Sequence, residues 1–249
     1  MWQVSFDEAR DEAIHNLRHL PEKQGWSELA SGVWIGEWGD AYDSSRILIP
    51  DLIHRLGVPE PVALVPFRNA LLVTSARNPA GLQLMAQVSQ TSLENNTRWL
   101  SFEPIRLEGD RWVTHEIPPE ASELLRILRE QNRAAAYATQ KQLLDDLHQA
   151  DGTDIFVANY QLMQRGEEAP RSYAVWTEGV DTLLPPAELI AFVQPDGDKA
   201  KHVLVSWEDA HPIVGHLLEP SDMAPQRYRA RTFPDGPTLE RLRDRAVAL

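Results

Sequence analysis

The sequence predicts an α+β fold of two similar halves, each a mainly antiparallel sheet with a hairpin and packed helices. Two observations carry this expectation. Short apolar runs joined by hairpin-length turns recur between helix-period segments, whereas a doubly wound nucleotide fold would alternate single strands with helices. The second observation is a looser early copy of Ala174 to Val193. Val33-Trp34 is followed by Gly36, Asp40 and Ile47-Leu48-Ile49-Pro50, and Val175-Trp176 by Gly179, Asp181 and Leu183-Leu184-Pro185. Each copy leads into an apolar run, a turn, a second apolar run and a helix-start signal. These are Val62–Val65, Pro66–Asn69, Ala70–Ser75 and Asn78-Pro79 in the first half, and Leu189–Val193, Gln194–Asp198, His202–Trp207 and Asp209 with Pro212 in the second. The reading is an internal duplication, with halves 1–118 and 119–249 packed together as one globular unit.

Taken in order, Ser5 and Glu8 have capping-box spacing, and Phe6, Ala9, Ala13, Leu17 and Leu20 give a first helix that Pro21 stops. Val33 to Ile35 is strand core, and Asp51 to Leu56 a helical turn closed by Gly57. The runs Val62–Val65 and Ala70–Ser75 form a hairpin of two buried strands. Asn78 caps a helix with Pro79 at its first position and Leu82, Met85 and Ala86 along one face. A hairpin from Arg98–Phe102 to Arg111–His115 follows, then Pro118-Pro119 and a long helix from about Glu120 to Asp151-Gly152. Asp154–Met163 and Arg171–Thr177 pair around Gly166-Glu167-Glu168. The second repeat carries a helix at about His211–Leu218, and Arg227–Phe233 reads as a strand before a last helix with Leu239 and Leu242. Leu64, Leu72, Met85, Val175, Ile190, Phe192, Leu204 and Leu217 are the expected core.

Composition narrows the function. Thirty-seven acidic against 24 basic residues give a net charge of −13, which repels nucleic acid and anionic membrane. The absence of cysteine removes disulfides, thiol nucleophiles and thiolate metal sites, and fits a reducing cytosol. The N-terminus has no basic region followed by an apolar run, and nothing approaches the roughly 18 apolar residues of a membrane span. The expectation is a cytoplasmic protein with no nucleic-acid or membrane partner.

Trp176-Thr177-Glu178-Gly179-Val180-Asp181-Thr182-Leu183-Leu184-Pro185, with Ser45-Arg46-Ile47-Leu48-Ile49-Pro50 and Val65-Pro66-Phe67-Arg68-Asn69, resembles the YtpQ-like family of uncharacterised bacterial proteins. That family has Pro-Asn-Arg-Asp at the first hairpin turn, where Phe67 and Asn69 here flank Arg68. The resemblance implies a bacterial cytosolic protein and carries over no catalytic residue.

Three groups of residues are candidates for function. Asp40, Asp43, Ser44, Ser45, Arg46 and Asp51 form the densest polar group near the repeat, able to hold a hard cation, to act as acid and base, or to cap the next helix and pair with Arg46. Trp38 and Tyr42 beside them would mark an interface if exposed. Arg227, Arg229 and Arg231 alternate along one strand face, where they could grip an anion or pair with the chain's own carboxylates. His211 and His216 are five residues apart, about 140° around a helix, a poor fit to one metal ion, and Asp209 beside them reads as a cap. His-Glu-x-x-His, Gly-x-Gly-x-x-Gly, Gly-x-x-x-x-Gly-Lys and Gly-x-Ser-x-Gly are all missing. The sequence therefore points to a non-catalytic binding or regulatory module for a protein or small-molecule partner, without cofactor or metal. The alternative is a small metal-dependent or acid–base hydrolase using the Asp40–Asp51 carboxylates.

Overall fold

The computed structural model describes residues 4–20, 25–93, 99–117, 123–164, 166, 169–197 and 199–247. Pro21, Arg98, Pro118, Pro119, Glu120, Glu167, Glu168 and Asp198, which figure in the sequence reading, lie outside the described residues. The fold is α+β, with six α-helices and three mostly antiparallel sheets among the described residues. No described helix is long and apolar enough to cross a membrane. The chain divides into two compact units, Met1–Arg129 and Glu130–Leu249.

In the first unit, helix α1 (Phe6–Arg18) begins at a complete capping box: Glu8 N–H donates to Ser5 Oγ and Ser5 N–H to Glu8 Oε2. Six strands follow, β1 (Trp26–Ala30), β2 (Val33–Gly36), β3 (Pro61–Leu64), β4 (Leu72–Ser75), β5 (Ile105–Glu108) and β6 (Arg111–Thr114), with helices α2 (Pro50–His54) and α3 (Pro79–Leu93) between them. The sheet order is β1-β2-β4-β3-β5-β6, every pair antiparallel. The central β3–β4 hairpin is buried on both faces, which is why its sequence reads as continuous apolar runs. Leu64 and Leu72 pack with Met85 and Ala86 of α3, while Ala63 and Val73 pack with Ile53 of α2 on the opposite face. Asn78 Oδ1 accepts from Gly81 N–H and so caps α3.

Helix α4 (Glu123–Asp151) contains the division between the units. Its first turns place Leu125 and Leu128 in the first unit's core, and Tyr137 belongs to the core of the second. The sequence places the boundary at Pro118-Pro119, because a helix that serves two cores shows no break in its own apolar pattern.

The second unit holds strands β7 (Phe156–Val157), β8 (Gln161–Met163), β9 (Arg171–Thr177), β10 (Thr182–Leu184), β11 (Leu189–Asp196), β12 (Lys199–Ser206), β13 (Leu218–Pro220) and β14 (Tyr228–Ala230). They form two four-stranded sheets, β12-β11-β9-β8 and β13-β14-β10-β7. Helices α5 (Trp207–Val214) and α6 (Gly236–Arg243) complete a core of Trp176, Ile190, Phe192, Val205, Val214, Leu239 and Leu242. Ser206 caps α5, accepting from Asp209 N–H and donating to Asp209 Oδ2; Asp209 is the cap's partner rather than the cap.

Both units contain a hairpin followed by a helix, but their strand orders differ where a duplication would make them equivalent. Strand β2 pairs antiparallel with β4, the second strand of its hairpin, whereas β9 pairs parallel with β11, the first strand of its own. Two of the expected core residues are only half-buried. In β9 the inward positions are Ser172, Ala174 and Trp176, so the bulky indole sets the register and turns Val175 to the other face. A 3₁₀ turn over Gly215–Leu217 breaks the helical period, and Val214 and Leu218 are buried in place of Leu217. The arginine strand is also shorter than its alternating pattern suggests, since only Tyr228–Ala230 pairs.

Candidate binding site

In the first unit the chain leaves β2 and enters a loop from Glu37 to Ile49 that holds most of the polar residues singled out in the sequence. Arg46, on a 3₁₀ turn (Ser44–Leu48), is 2% exposed and donates two hydrogen bonds to Asp40, of 2.9 and 2.5 Å. Its guanidinium lies 4.5 Å from the centre of the Trp38 ring. Trp38 is itself 2% exposed and meets Trp26 edge-on, so it anchors the loop and is not the exposed neighbour of Tyr42 that an interface would need. Gly36 leaves room for this indole, because a Cβ there would overlap the Trp38 ring.

The carboxylates of the loop have separate occupations. Asp43 is buried and accepts the Trp38 N–H at 2.8 Å. Asp40 also accepts the Tyr42 N–H at 3.0 Å, a turn that, with Arg68 Nε donating to the Ala41 carbonyl, holds Ala41 at a φ of 65°. Asp51 lies on α2 and pairs with Arg18 of α1 at 2.8 Å. Hydrogen bonds from Arg46 hold the Asp40 carboxyl below its ordinary pKa, and those from Arg18 do the same for Asp51. Both are thereby fixed as anions and cannot lend a proton near neutrality. Among the described residues, no group of three or more histidines and carboxylates is placed to hold a metal ion.

The braced loop walls two concavities. One is an open cleft of about 660 Å³ between the loop (Gly36, Glu37, Gly39, Ala41, Asp43), the β3–β4 turn (Pro66, Phe67, Asn69, Ala70) and α3 (Val88, Ser89, Ser92). The other, of about 440 Å³, runs between α1 and the 3₁₀ turn and has a mainly apolar lining. The Pro66–Asn69 turn, which the sequence shows as the link between two apolar runs of a hairpin, forms one wall of the cleft.

The arginine stripe of the second unit is engaged internally. Arg227 is fully buried, donating to Gln140 Oε1 and to the carbonyls of Ala158, Leu183 and Tyr137, with its guanidinium 5.2 Å from the Tyr137 ring centre. Burial pushes its pKa down to about 10, which still leaves it a cation at neutral pH. Arg229 makes a two-point pair with Asp181 at 3.1 and 2.7 Å, and Arg231 meets Glu219 at 3.0 Å. The three heads do not converge on solvent, the arrangement that anion recognition would require. His211 lies against Trp207 and Tyr228, at 5.2 and 6.2 Å between ring centres, on the exposed side of α5.

Comparison with family models, with curated proteins and with solved structures returned no match. The site therefore rests on its own geometry. Sequence reasoning located the Asp40–Arg46 segment but not Glu37, Asn69 or Ser89 as its companions in the cleft. In the sequence Pro66–Asn69 reads only as a hairpin turn, and nothing there singles out Asn69.

Proposed function

We propose that the chain is a non-catalytic binding module of the bacterial cytosol, akin to the YtpQ-like proteins it resembles, and that it holds a small molecule in the cleft beside the Glu37–Ile49 loop. The observation that carries this reading is the use of the loop's charges. Asp40, Arg46 and Asp43 are spent on one another, on Trp38 and on the backbone, so they give the loop a fixed shape instead of a reactive group. A fixed, open concavity with apolar residues such as Phe67 and Val88 and acceptors such as Glu37 suits a ligand with an apolar body and hydrogen-bond donors. The hydrolase reading requires a carboxylate free to bind a metal or transfer a proton, and Asp40, Asp43 and Asp51 each have another partner.

The test is a thermal-shift screen of the full chain against metabolites and divalent metals. A ligand at about 100 times its Kd stabilises the native state by about 2.7 kcal/mol, which is readily visible as a raised midpoint. Asn69 is exposed at the cleft edge, so Asn69→Trp should fill the cleft without unfolding the chain and should abolish the shift. A shift that survives in Asn69→Trp would locate the ligand elsewhere and refute the proposed site.

A further inference from the structure

We propose that the outward face of α4 packs antiparallel against the same face of a second copy of this chain. The inference concerns the second unit and does not rest on the cleft of the first holding a ligand. From Glu130 onward, α4 turns one side towards its own unit. Ala134 and Tyr137 pack in that core, Lys141 donates to the Val157 carbonyl, and the His148 ring meets the Ile155 carbonyl. Half a turn away, Ala136, Thr139, Leu143, Leu147 and Ala150 form a stripe with spacings of three and four residues. All five are exposed, Leu143 by 65% and Leu147 by 56%. Ala136, Leu143 and Ala150 recur at the seven-residue interval that keeps one seam of a helix facing a partner helix.

Charge decides the occupant and its direction. Between residues 131 and 151, Lys141 and Asp145 pair with each other at 2.8 Å, which leaves Arg133, Asp146 and Asp151 as the charges beside the stripe. Two copies of a chain of net charge −13 therefore meet there with little local repulsion. Arg133 and Asp151 are about five full turns apart, so both flank the stripe on the same side, and uncharged Gln131, Gln142 and Gln149 flank it on the other. Reversing a second helix about Leu143 sets Ala136 opposite Ala150 and Thr139 opposite Leu147 of the other copy, small beside small and small beside large. The same reversal brings Arg133 of each copy to Asp151 of the other, twice by symmetry. Parallel pairing would set both charges beside the glutamines. Arg133 meets Glu130 at 3.2 Å, yet its side chain is 44% exposed and extends to solvent. Ala136 to Ala150 spans about 21 Å, which places the contact among small, reversible interfaces.

The test is sedimentation equilibrium of the full chain over a concentration series reaching about 0.3 mM, where a weak interface of this size associates. A reversible dimer is expected, weakened about tenfold by Leu143→Ser or Leu147→Ser and about fivefold by Asp151→Arg, which replaces attraction of Arg133 with repulsion. All three residues are exposed, so none of the changes should unfold the chain, and circular dichroism verifies this. Direction is read by disulfide trapping, which is clean because the chain has no cysteine. Under oxidised glutathione, a mixture of Ala136→Cys and Ala150→Cys chains should form a covalent dimer far faster than either variant alone. Ala136→Cys crosslinking to itself as fast as in the mixture would mean a parallel pair and overturn the proposal. A dimer that survives both leucine variants would locate the contact elsewhere and overturn it too. So would a chain monomeric throughout the series, which would leave the stripe to a different protein.

Discussion

Removing the two partners of the Arg46–Asp40 pair one at a time should have unequal consequences, because the two side chains differ in burial. Arg46 is 2% exposed and Asp40 22%. Asp40→Ala strands a buried guanidinium against the Trp38 ring without a counter-ion, and breaking a buried pair in this way costs about 3–5 kcal/mol. Arg46→Met leaves a carboxylate that can turn towards water, while the methionine still packs on the indole. Its cost is the two charge-assisted hydrogen bonds and the cation–π contact, less the hydration regained by Asp40, about 1–3 kcal/mol. Urea unfolding at pH 7 measures both changes, followed by tryptophan fluorescence and by far-UV circular dichroism, because two compact units can unfold in separate steps. The reasoning is refuted if Arg46→Met is as costly as Asp40→Ala, or if neither reaches about 1 kcal/mol.

Further outcomes follow from the same geometry. Arg227→Lys should destabilise the second unit by about 2–4 kcal/mol despite keeping the charge, because one ammonium cannot replace the guanidinium fork on four separate acceptors; near-wild-type unfolding would contradict this. Arg229→Ala should cost only about 0–1 kcal/mol at pH 7, since its pair with Asp181 is partly exposed. That small contribution has a defined pH dependence. Asp181 is held below its ordinary pKa by Arg229, so the stabilisation is complete above the unfolded value of about 3.9 and disappears as pH falls through the lower folded value. The difference between wild type and Arg229→Ala should therefore vanish in acid, as melting temperatures across pH 2 to 7 would reveal. Leu72→Ala should cost about 2–5 kcal/mol and Val175→Ala clearly less, because Leu72 is fully buried and Val175 is not; equal losses in denaturant would mean that the faces of β9 are misassigned.

What the sequence could disclose depended on how local each feature is. The Ser5–Glu8 capping box, the Asn78 cap and the β3–β4 hairpin arise from residues within a few positions of one another, and the structure contains all three. Strand order is not local. The apolar runs of the two halves look alike, yet β2 and β9 join opposite strands of their hairpins, and apolar period alone does not specify a neighbour. Alternation also misled at Arg227, Arg229 and Arg231. An even spacing was enough to suggest a shared outward face, but Arg227 precedes the paired strand and is buried by acceptors as distant in the chain as Gln140 and Ala158. The polar segment around Asp40 was visible as a cluster, whereas its engagement with Trp38 and the cleft beside it depend on tertiary packing.

On the proposed reading the Glu37–Ile49 loop frames a ligand and does not react with it. Asp43→Asn tests this most directly, because a carboxamide oxygen can still accept the Trp38 N–H while the charge needed for acid–base or metal chemistry is removed. Wild type and Asp43→Asn would be compared with any ligand found in the thermal-shift screen, measuring both the raised midpoint and the chemical fate of the ligand, with and without Mg²⁺, Mn²⁺ and Zn²⁺. Both proteins should show the same stabilisation, with an intact ligand in every case. Conversion of the ligand by the wild type that Asp43→Asn abolishes would contradict it.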